Sequence, residues 1–382
     1  MSFLSSILRV WLLVGLACAC GAPDHASAAQ DELAAINARM AGRIVDCTHN
    51  HGADRRIESR VLCQRRDLYV YLPPCYDPAR CYPLVVWCHG AFGDEHAFLD
   101  TAQIDYLDRL IRCGAAPPMI VVCADGTIKG EDRLLSKHSF YVNGCSGRFQ
   151  DHLLDEVLPL VIGRYSIDPD RSRHAIVGVS AGGFGALGIA LKHRDCFAYA
   201  VSHAGAINMR YDNLNHAPLE DFSPCTYRWK DYYRPRQVIG RFACIPIRAK
   251  MYVKPVFGSG PEVIPRVTCN NPADLLLRTA PLPGELDVLL SYGDEDNLNF
   301  DAHAQSFAHL ARSCPGVRVY TACYPGMGHS LDYFRQSNQY AWRWLGQRMK
   351  ADPPAAANIA QATAVAPEAS AMDELLSAAI VR

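Results

Sequence analysis

The chain has 382 residues, 49% of them apolar and 20% charged, and its 38 Lys and Arg against 39 Asp and Glu leave a formal net charge of -1 at pH 7. This composition excludes disordered, collagenous and coiled-coil proteins, and the lack of a long basic block argues against nucleic acid as a partner. The length is sufficient for one large domain with an extensive core, which is the organisation we expect.

The first 29 residues have the pattern of an export signal. Arg9 precedes an apolar stretch over residues 10–20, and an Ala-Ser-Ala sequence follows as a cleavage site. We expect cleavage near Ala28 or Ala29 and a secreted or periplasmic mature protein, in which one domain spans residues 30–350 and a flexible Ala- and Pro-rich tail spans 351–382. Neither this stretch nor any later one approaches the roughly 20 apolar residues of a membrane span.

The cysteines are numerous for a chain of this length. Cys18 or Cys20 in the signal could carry a lipid anchor, although neither has Leu at the third position before it. The remaining 14 are an even number in a chain with an export signal, so we predict disulfides. Cys75 and Cys81 bracket a short turn and are the first candidate pair.

From residue 57 onwards, short β-branched runs alternate with helical patterns. This alternation predicts an α/β fold with a mostly parallel central sheet flanked by helices on both faces. Strands are predicted at 57–62, 67–73, 84–88, 119–123, 174–179, 198–202, 286–291 and 317–322. Helices are predicted at 97–113, 151–164, 183–193, 301–313 and 330–349.

The loop after the third predicted strand, His89-Gly90-Ala91-Phe92-Gly93, can supply a backbone donor to an oxyanion. Gly90 and Gly93 allow the backbone to turn towards a ligand. The Ala91 N–H is the first choice for the donor and Phe92 the second, with His89 and Gly90 supporting the loop.

A candidate nucleophile follows the fifth predicted strand, in the sequence Gly178-Val179-Ser180-Ala181-Gly182. A serine raised on a strained turn between strand and helix leaves no space for side chains two positions away, so Gly178 and Gly182 flank it. The Ala181 N–H, directly after the serine, is the second candidate oxyanion donor.

Residues 205–284 interrupt the alternation and are rich in Pro, Tyr and Arg, which indicates a lid-like insertion before the seventh predicted strand. Its aromatic residues line a substrate pocket or form a small core of their own, and the sequence leaves both interpretations open. They are Tyr227, Trp229, Tyr232 and Tyr233.

The last two predicted strands are followed by a candidate acid and a candidate base. In the acid loop Asp296 is the first choice because it stands three residues past Gly293, while Asp294 is the second and Glu295 also competes. His329 follows the final strand and is the candidate base. The order serine, acid, histidine is the one expected on this architecture. His203, His303 and His309 are expected at the surface or in the core.

Together these segments resemble the esterase family of α/β-hydrolases, which includes esterase D-like enzymes, feruloyl esterases and mycolyltransferase antigens. The likeness is carried by VYLPPCYDPARCYPLVVWCHGAFGDE (70–95), SFYVNG (139–144) and DHLLDEVLPLVIGRYSIDPDRSRHAIVGVSAGGFGALGIALKHRDCFAYAVSHAGAIN (151–208). The resemblance implies an α/β-hydrolase fold, with Ser180 as nucleophile, His329 as base, and the His89-Gly90 loop with Ala181 as the oxyanion hole.

We therefore expect a serine carboxylesterase that acts through an acyl-enzyme, without metal or organic cofactor, on a small-molecule or polymer-linked ester. One alternative is an acyltransferase that passes the acyl group to a sugar or lipid hydroxyl. Another is a non-catalytic binding protein on the same scaffold.

Overall fold

One eight-stranded sheet organises the chain in the computed structural model, which describes residues 25–350 except 52, 92, 131–136, 218, 243–244 and 280. The predicted signal up to residue 24 and the tail 351–382 lie outside the described residues. The strands are β1 Arg43–Cys47, β2 Ile57–Ser59, β3 Gln64–Arg66, β4 Leu68–Leu72, β5 Leu84–Cys88, β6 Ile120–Ala124, β7 Asn143–Gly144, β8 Gly147–Arg148, β9 His174–Val179, β10 Tyr199–His203, β11 Tyr211–Asn213, β12 Tyr227–Trp229, β13 Val238–Phe242, β14 Ile245–Arg248, β15 Leu286–Gly293 and β16 Val317–Tyr324.

The helices lie mainly between the strands of this sheet. They are α1 His25–Asn37, α2 Ala97–Asp100, α3 Ile104–Arg112, α4 Phe149–Asp151, α5 Leu158–Arg164, α6 Ala181–Lys192, α7 Ala249–Phe257, α8 Val263–Thr268, α9 Pro272–Thr279, α10 Phe300–Ala311 and α11 Leu331–Lys350. A π-helical segment, His152–Val157, joins α4 to α5, and a 3-10 turn, Arg171–Arg173, precedes β9.

The main sheet has the strand order β1-β4-β6-β5-β9-β10-β15-β16. The six strands that follow β4 in this order pair in parallel with one another. Strand β4 is antiparallel to both of its neighbours, β1 and β6. This confirms the predicted mostly parallel sheet with helices on both faces. The carboxyl ends of β5, β9, β15 and β16 therefore meet at one edge, where the candidate site residues follow them.

The central strands are buried on both faces, as the continuous apolar run of β5 predicts. Successive β5 residues alternate between two core clusters: Val86 packs on one side with Ile176 and Leu187, and Trp87 packs on the other with Trp342. The Trp87 indole N–H donates to the Asn338 side chain at 2.9 Å. The sheet edge that carries the site thus rests on a rigid, fully covered layer.

Two elements differ from the sequence prediction at the start of the chain. Strand β1, which pairs with β4, is not among the predicted strands, because Arg43 and Asp46 interrupt its apolar run. The predicted strand 57–62 is only the first arm of the small β2–β3 hairpin, outside the main sheet.

The predicted helix 97–113 is divided into α2 and α3. The interruption lies at Gln103, which has a left-handed backbone with φ of 56°. A residue in that conformation cannot continue a right-handed helix, so α3 begins after it. The predicted helix 151–164 forms, with its first part wound as the π-helical segment.

The cysteines differ from the predicted disulfide framework. All thirteen cysteines within the described part of the chain have free thiols, and no bridge joins Cys75 to Cys81. Hydrogen bonds close that turn instead: the Asp77 N–H donates to the Tyr82 hydroxyl at 2.9 Å and the Arg80 N–H donates to the Asp77 carbonyl at 3.0 Å.

The insertion contains the hairpins β11–β12 and β13–β14 and the helices α7, α8 and α9. Helices α7 and α8 pack Phe257 and Val267 against Ala181 and Phe184 at the start of α6. Helix α9 packs Leu276 into the main core. The insertion therefore lies directly against the helix that follows the candidate nucleophile.

Candidate active site

Ser180 lies in a strained turn between β9 and α6. Its φ of 53° and ψ of -117° are far from the conformations of an ordinary strand or helix residue. Its backbone N–H donates to the His203 carbonyl at 2.8 Å, which ties the turn to the neighbouring strand. Such a strained position at the start of a helix points the hydroxyl out of the sheet edge.

Gly178 and Gly182, on either side of Ser180, leave no space for a side chain. A Cβ on Gly178 would lie 2.2 Å from the Gly182 carbonyl oxygen, and one on Gly182 would lie 2.2 Å from the Cys88 carbonyl oxygen. Both distances are well below any normal contact, so the turn can close only with hydrogen at these positions. The Gly-x-Ser-x-Gly spacing follows from this close backbone packing.

The structure brings Ser180, His329 and Asp296 together. The Ser180 Oγ lies 3.0 Å from His329 Nε2, and His329 Nδ1 lies 3.0 Å from Asp296 Oδ2. The Asp296 side chain is 1% exposed and that of His329 15%. The Leu298 N–H donates to Asp296 Oδ1 at 2.8 Å and orients the carboxylate.

The other two carboxylates of the loop do not face His329. The Asp294 Oδ1 accepts a hydrogen bond from the Gly326 N–H at 2.6 Å and so joins the acid loop to the histidine loop. A Cβ on Gly293 would lie 1.9 Å from the Met327 carbonyl oxygen, which shows how closely these loops approach. Glu295 contributes its backbone N–H to the Met327 carbonyl at 3.1 Å.

Two backbone amides are available beside Ser180. The Ala91 and Ala181 N–H groups form no hydrogen bond to any described residue, and both residues line the cavity above Ser180. His89 supports the first of them, because its Nδ1 contacts the Gly90 carbonyl at 2.9 Å while its Nε2 accepts from the Gly126 N–H at 2.7 Å. Phe92 lies outside the described residues.

A cavity of about 550 Å³ opens above Ser180, and its wall is mostly apolar. The insertion supplies much of that wall, with residues from β13, β14, α7 and α8. Tyr232 and Tyr233 line the cavity, which agrees with the interpretation that the aromatic residues form a pocket wall. Tyr227 and Trp229 lie on β12 and pack against each other instead, with ring centres 5.8 Å apart. The cavity interpretation therefore applies to Tyr232 and Tyr233, whereas Trp229 also packs against the main core of the sheet.

Of the three other histidines considered in the sequence, His203 and His303 lie near this site, whereas the His309 ring packs against Phe222 at 5.6 Å. His203 is buried beneath Ser180, and its Nδ1 lies 2.6 Å from the Ser291 Oγ. Burial lowers the pKa of His203 and of His303 to about 3, so both are neutral at physiological pH. His303 lines the cavity, and its ring lies 5.2 Å from that of Phe300.

One cluster of acidic side chains has the spacing of a metal site. Oxygens of the buried Asp67, Glu95 and Asp125 lie within 4.8 Å of one another. Arg66 forms an ion pair with one member of this group, since its Nη2 lies 2.7 Å from Asp125 Oδ2. Burial raises the pKa of Glu95 well above its ordinary value, which favours the neutral acid there.

Sequence reasoning did not identify Lys230 or Phe300. Lys230 lines the cavity, and the Phe300 ring lies 5.4 Å from that of His329. Neither belongs to a recognisable spacing: Lys230 stands in an irregular stretch, and Phe300 begins a helix whose apolar pattern also fits a core residue.

A family model described as "Putative esterase" matches residues 59–342 of the chain. An esterase of Mycobacterium tuberculosis is 30% identical over 163 residues, which are 41% of this chain and 33% of the relative. The chain thus spans about a third of the length of this curated relative.

Solved structures with the same architecture include a ferulic acid esterase, 17% identical with a TM-score of 0.57, for which the match covers 81% of this chain and 99% of that one. An S-formylglutathione hydrolase from Agrobacterium tumefaciens is 16% identical with a TM-score of 0.56, covering 81% and 95%. At these identities the similarity shows the fold, which is that of α/β-hydrolases.

No helix within the described ranges has the length and apolar character needed to cross a membrane.

Proposed function

The chain belongs to this esterase family, and from that premise we propose that it is a serine carboxylesterase in which Ser180, His329 and Asp296 form the catalytic triad. The observation that carries the proposal is the continuous pair of 3.0 Å contacts from the Ser180 hydroxyl through the His329 ring to the Asp296 carboxylate. The Ala91 and Ala181 N–H groups, which form no hydrogen bond to any described residue, support the same conclusion.

In the first half-reaction, His329 Nε2 accepts the proton of the Ser180 hydroxyl as the Oγ attacks the ester carbonyl carbon. The carbonyl oxygen becomes an oxyanion, which accepts hydrogen bonds from the Ala91 and Ala181 N–H groups. The imidazolium then gives its proton to the alcohol oxygen as the carbon–oxygen bond breaks. The alcohol leaves, and the acyl group stays on Ser180.

In the second half-reaction, a water molecule replaces the alcohol. His329 Nε2 takes a proton from the water, whose oxygen attacks the acyl carbon, and the same two amides hold the second oxyanion. Its collapse returns the proton to the Ser180 Oγ and releases the carboxylic acid. Throughout, Asp296 accepts the hydrogen bond of the His329 Nδ1–H, which keeps Nε2 directed at Ser180 and stabilises the imidazolium.

The test compares the wild-type protein with Ser180→Ala on p-nitrophenyl esters, together with labelling by a fluorophosphonate. We expect hydrolysis and labelling in the wild type and a loss of about 10⁵-fold or more in kcat for the variant. Equal rates from both folded proteins would contradict the proposal. Transfer to an added alcohol in preference to water would assign the same triad to an acyltransferase.

We also propose that the protein is exported. The support is the arrangement of Arg9, the apolar residues 10–20 and the Ala-Ser-Ala sequence before Ala29. Expression of the full chain should yield a secreted or periplasmic form whose amino terminus, read by mass spectrometry, lies near Ala29. A protein that stays in the cytoplasm with Met1 in place would contradict export without affecting the proposed esterase activity.

A further inference from the structure

The charged side chains that line the cavity all have the same sign. Lys230, Arg234 and Arg241 contribute to the wall, and no described Asp or Glu does so. The other lining residues are mainly apolar. A ligand that fills this cavity therefore meets an apolar surface with positive charge on it.

The positive charge is concentrated around one ring. The Lys230 Nζ lies 5.8 Å and the Arg234 Cζ 4.4 Å from the centre of the Tyr232 ring. The Tyr233 hydroxyl is buried and makes no hydrogen bond within the described structure, whereas the Tyr232 hydroxyl lies beside the side chains of Asp212 and Gln237. Two tyrosine hydroxyls and two cations thus occupy one part of the cavity wall, which we call the Tyr232 cluster: Lys230, Tyr232, Tyr233 and Arg234.

The Lys230 ammonium forms no ion pair with a described carboxylate. Burial lowers its pKa from the ordinary value and Arg234 lowers it further, whereas Asp212 raises it. Asp212 is buried outside the cavity wall and uses its Oδ2 to contact His216 Nδ1 at 2.8 Å. An ammonium held in an apolar wall without a contacting counter-ion is costly unless a ligand supplies the negative charge.

The Tyr232 cluster belongs to the same cavity as the triad. From His329 the cavity wall continues through Phe300 to His303, with ring centres 5.4 Å and then 5.2 Å apart. The charge of Lys230 acts on His303, where it contributes to the lowered pKa. A substrate whose ester group lies at Ser180 can therefore extend along this wall to Lys230.

We propose that the Tyr232 cluster is a subsite for an anionic group of the substrate, with Lys230 as its principal cation. The substrate class is then an amphiphilic carboxylic ester: an apolar body that fills the cavity and a carboxylate or phosphate at a distance from the ester carbonyl. This inference rests on the proposed esterase function and specifies which esters it serves.

The test uses two series of matched esters. In the first, p-nitrophenyl monoesters of straight-chain dicarboxylic acids are compared with p-nitrophenyl esters of monocarboxylic acids of equal chain length. In the second, octanoate esters of phenols with and without a para carboxylate or para phosphate are compared. The first series carries the anion on the acyl part of the ester and the second on the alcohol part, and we expect an effect in one of the two. In that series the anionic ester should have a KM about tenfold lower than its neutral partner, which is the size expected of one charged hydrogen bond. That series also identifies the side of the ester that occupies the subsite.

The variants separate charge from structure. Lys230→Met should abolish the difference in KM between the anionic and the neutral ester by raising the KM of the anionic one, because the anion contact is lost. Lys230→Arg should retain most of the preference. Lys129→Met, at an exposed lysine outside the cavity, is the matched control and should behave as the wild type. Raising the salt concentration should weaken the preference of the wild type without any substitution.

The outcomes are distinct from those that test the proposed function. Hydrolysis of neutral esters that is lost in Ser180→Ala supports the esterase, whatever the charge preference. Equal KM values for anionic and neutral esters in both series, or a preference that persists in Lys230→Met, would overturn the subsite alone. An equal loss on all esters in Lys230→Met together with a lower melting temperature would assign Lys230 a structural role and would likewise overturn it.

Discussion

The loops at the sheet edge and the insertion meet at Ser180, but they are built by different means. Around Ser180 the backbone itself is packed so closely that Gly178, Gly182 and Gly293 have no space for a Cβ. Across the cavity the insertion contributes side chains such as Tyr232 and Val253, which extend from short hairpins and helices. The difference indicates that backbone packing holds the reacting groups in place, while replaceable side chains select the substrate.

The largest effect should come from the carboxylates of the sheet-edge loop. Asp296→Asn removes the charge that stabilises the His329 imidazolium and should lower kcat by about 10⁴-fold. Asp294→Asn is the matched control and should lower kcat by less than about tenfold, because Asp294 contacts the Gly326 N–H and not the histidine. Steady-state kinetics with one p-nitrophenyl ester measure both. A greater loss in Asp294→Asn would reassign the acid.

The next effect concerns the glycines that allow the serine turn to close. Gly178→Ala places a Cβ 2.2 Å from a backbone carbonyl oxygen and should lower the free energy of unfolding by at least about 3 kcal/mol. Gly163→Ala, on helix α5 with no atom near its added Cβ, should change it by less than about 1 kcal/mol and towards greater stability. Urea denaturation followed by circular dichroism compares the two. Similar values for both would mean that the turn can relax.

These glycines also explain why the candidate residues at the sheet edge could be identified in the sequence. A nucleophile turn needs particular residues within five positions, and parallel strands bring their carboxyl ends to one edge. Asp296 could therefore be ranked before Asp294 from the distance to Gly293 alone. The contact of His89 with Gly90 is equally local. What the sequence did not predict here was β1, whose five residues gain their strand conformation from pairing with β4.

The insertion could not be predicted in the same way. Its strands have only three to five residues, and its helices are short, so neither the period of a strand nor that of a helix is visible. The sequence drew attention to the four aromatic residues, but only tertiary packing distinguishes Tyr232 in the cavity from Trp229 on β12. No sequence motif identifies Lys230, because the role of a single lysine depends on which residues surround it in the fold.

Asp301 lies between the two regions, near Asp296 on one side and Asp221 on the other. The pKa of Asp301 is raised from 3.8 to about 6. Burial is the largest cause, and the charges of these two carboxylates add to it. A carboxyl that is harder to ionise in the folded state stabilises the protein below pH 4, and this contribution is lost as the pH rises to 6. Asp301→Asn should therefore raise the free energy of unfolding at pH 7 by about 1–3 kcal/mol.

The corresponding measurement is urea denaturation of the wild type and Asp301→Asn at several values from pH 4 to pH 7. The gain of the variant should be small at pH 4 and reach its full size above pH 6. Asp155→Asn, at an exposed acid in the π-helical segment, is the control and should show no such rise. A gain that is equal at all pH values would show that the titration of Asp301 does not contribute.

The smallest effect should come from the apolar wall of the insertion. Val253→Trp on α7 adds volume inside the cavity and should lower kcat/KM for p-nitrophenyl octanoate by about 10- to 100-fold, with less than about threefold change for the acetate. Ile162→Trp, at an exposed position on α5, is the control and should alter neither. A selective loss on the long-chain ester would separate substrate choice from catalysis, whereas an equal loss on both esters would show that the insertion also holds Ser180 in place.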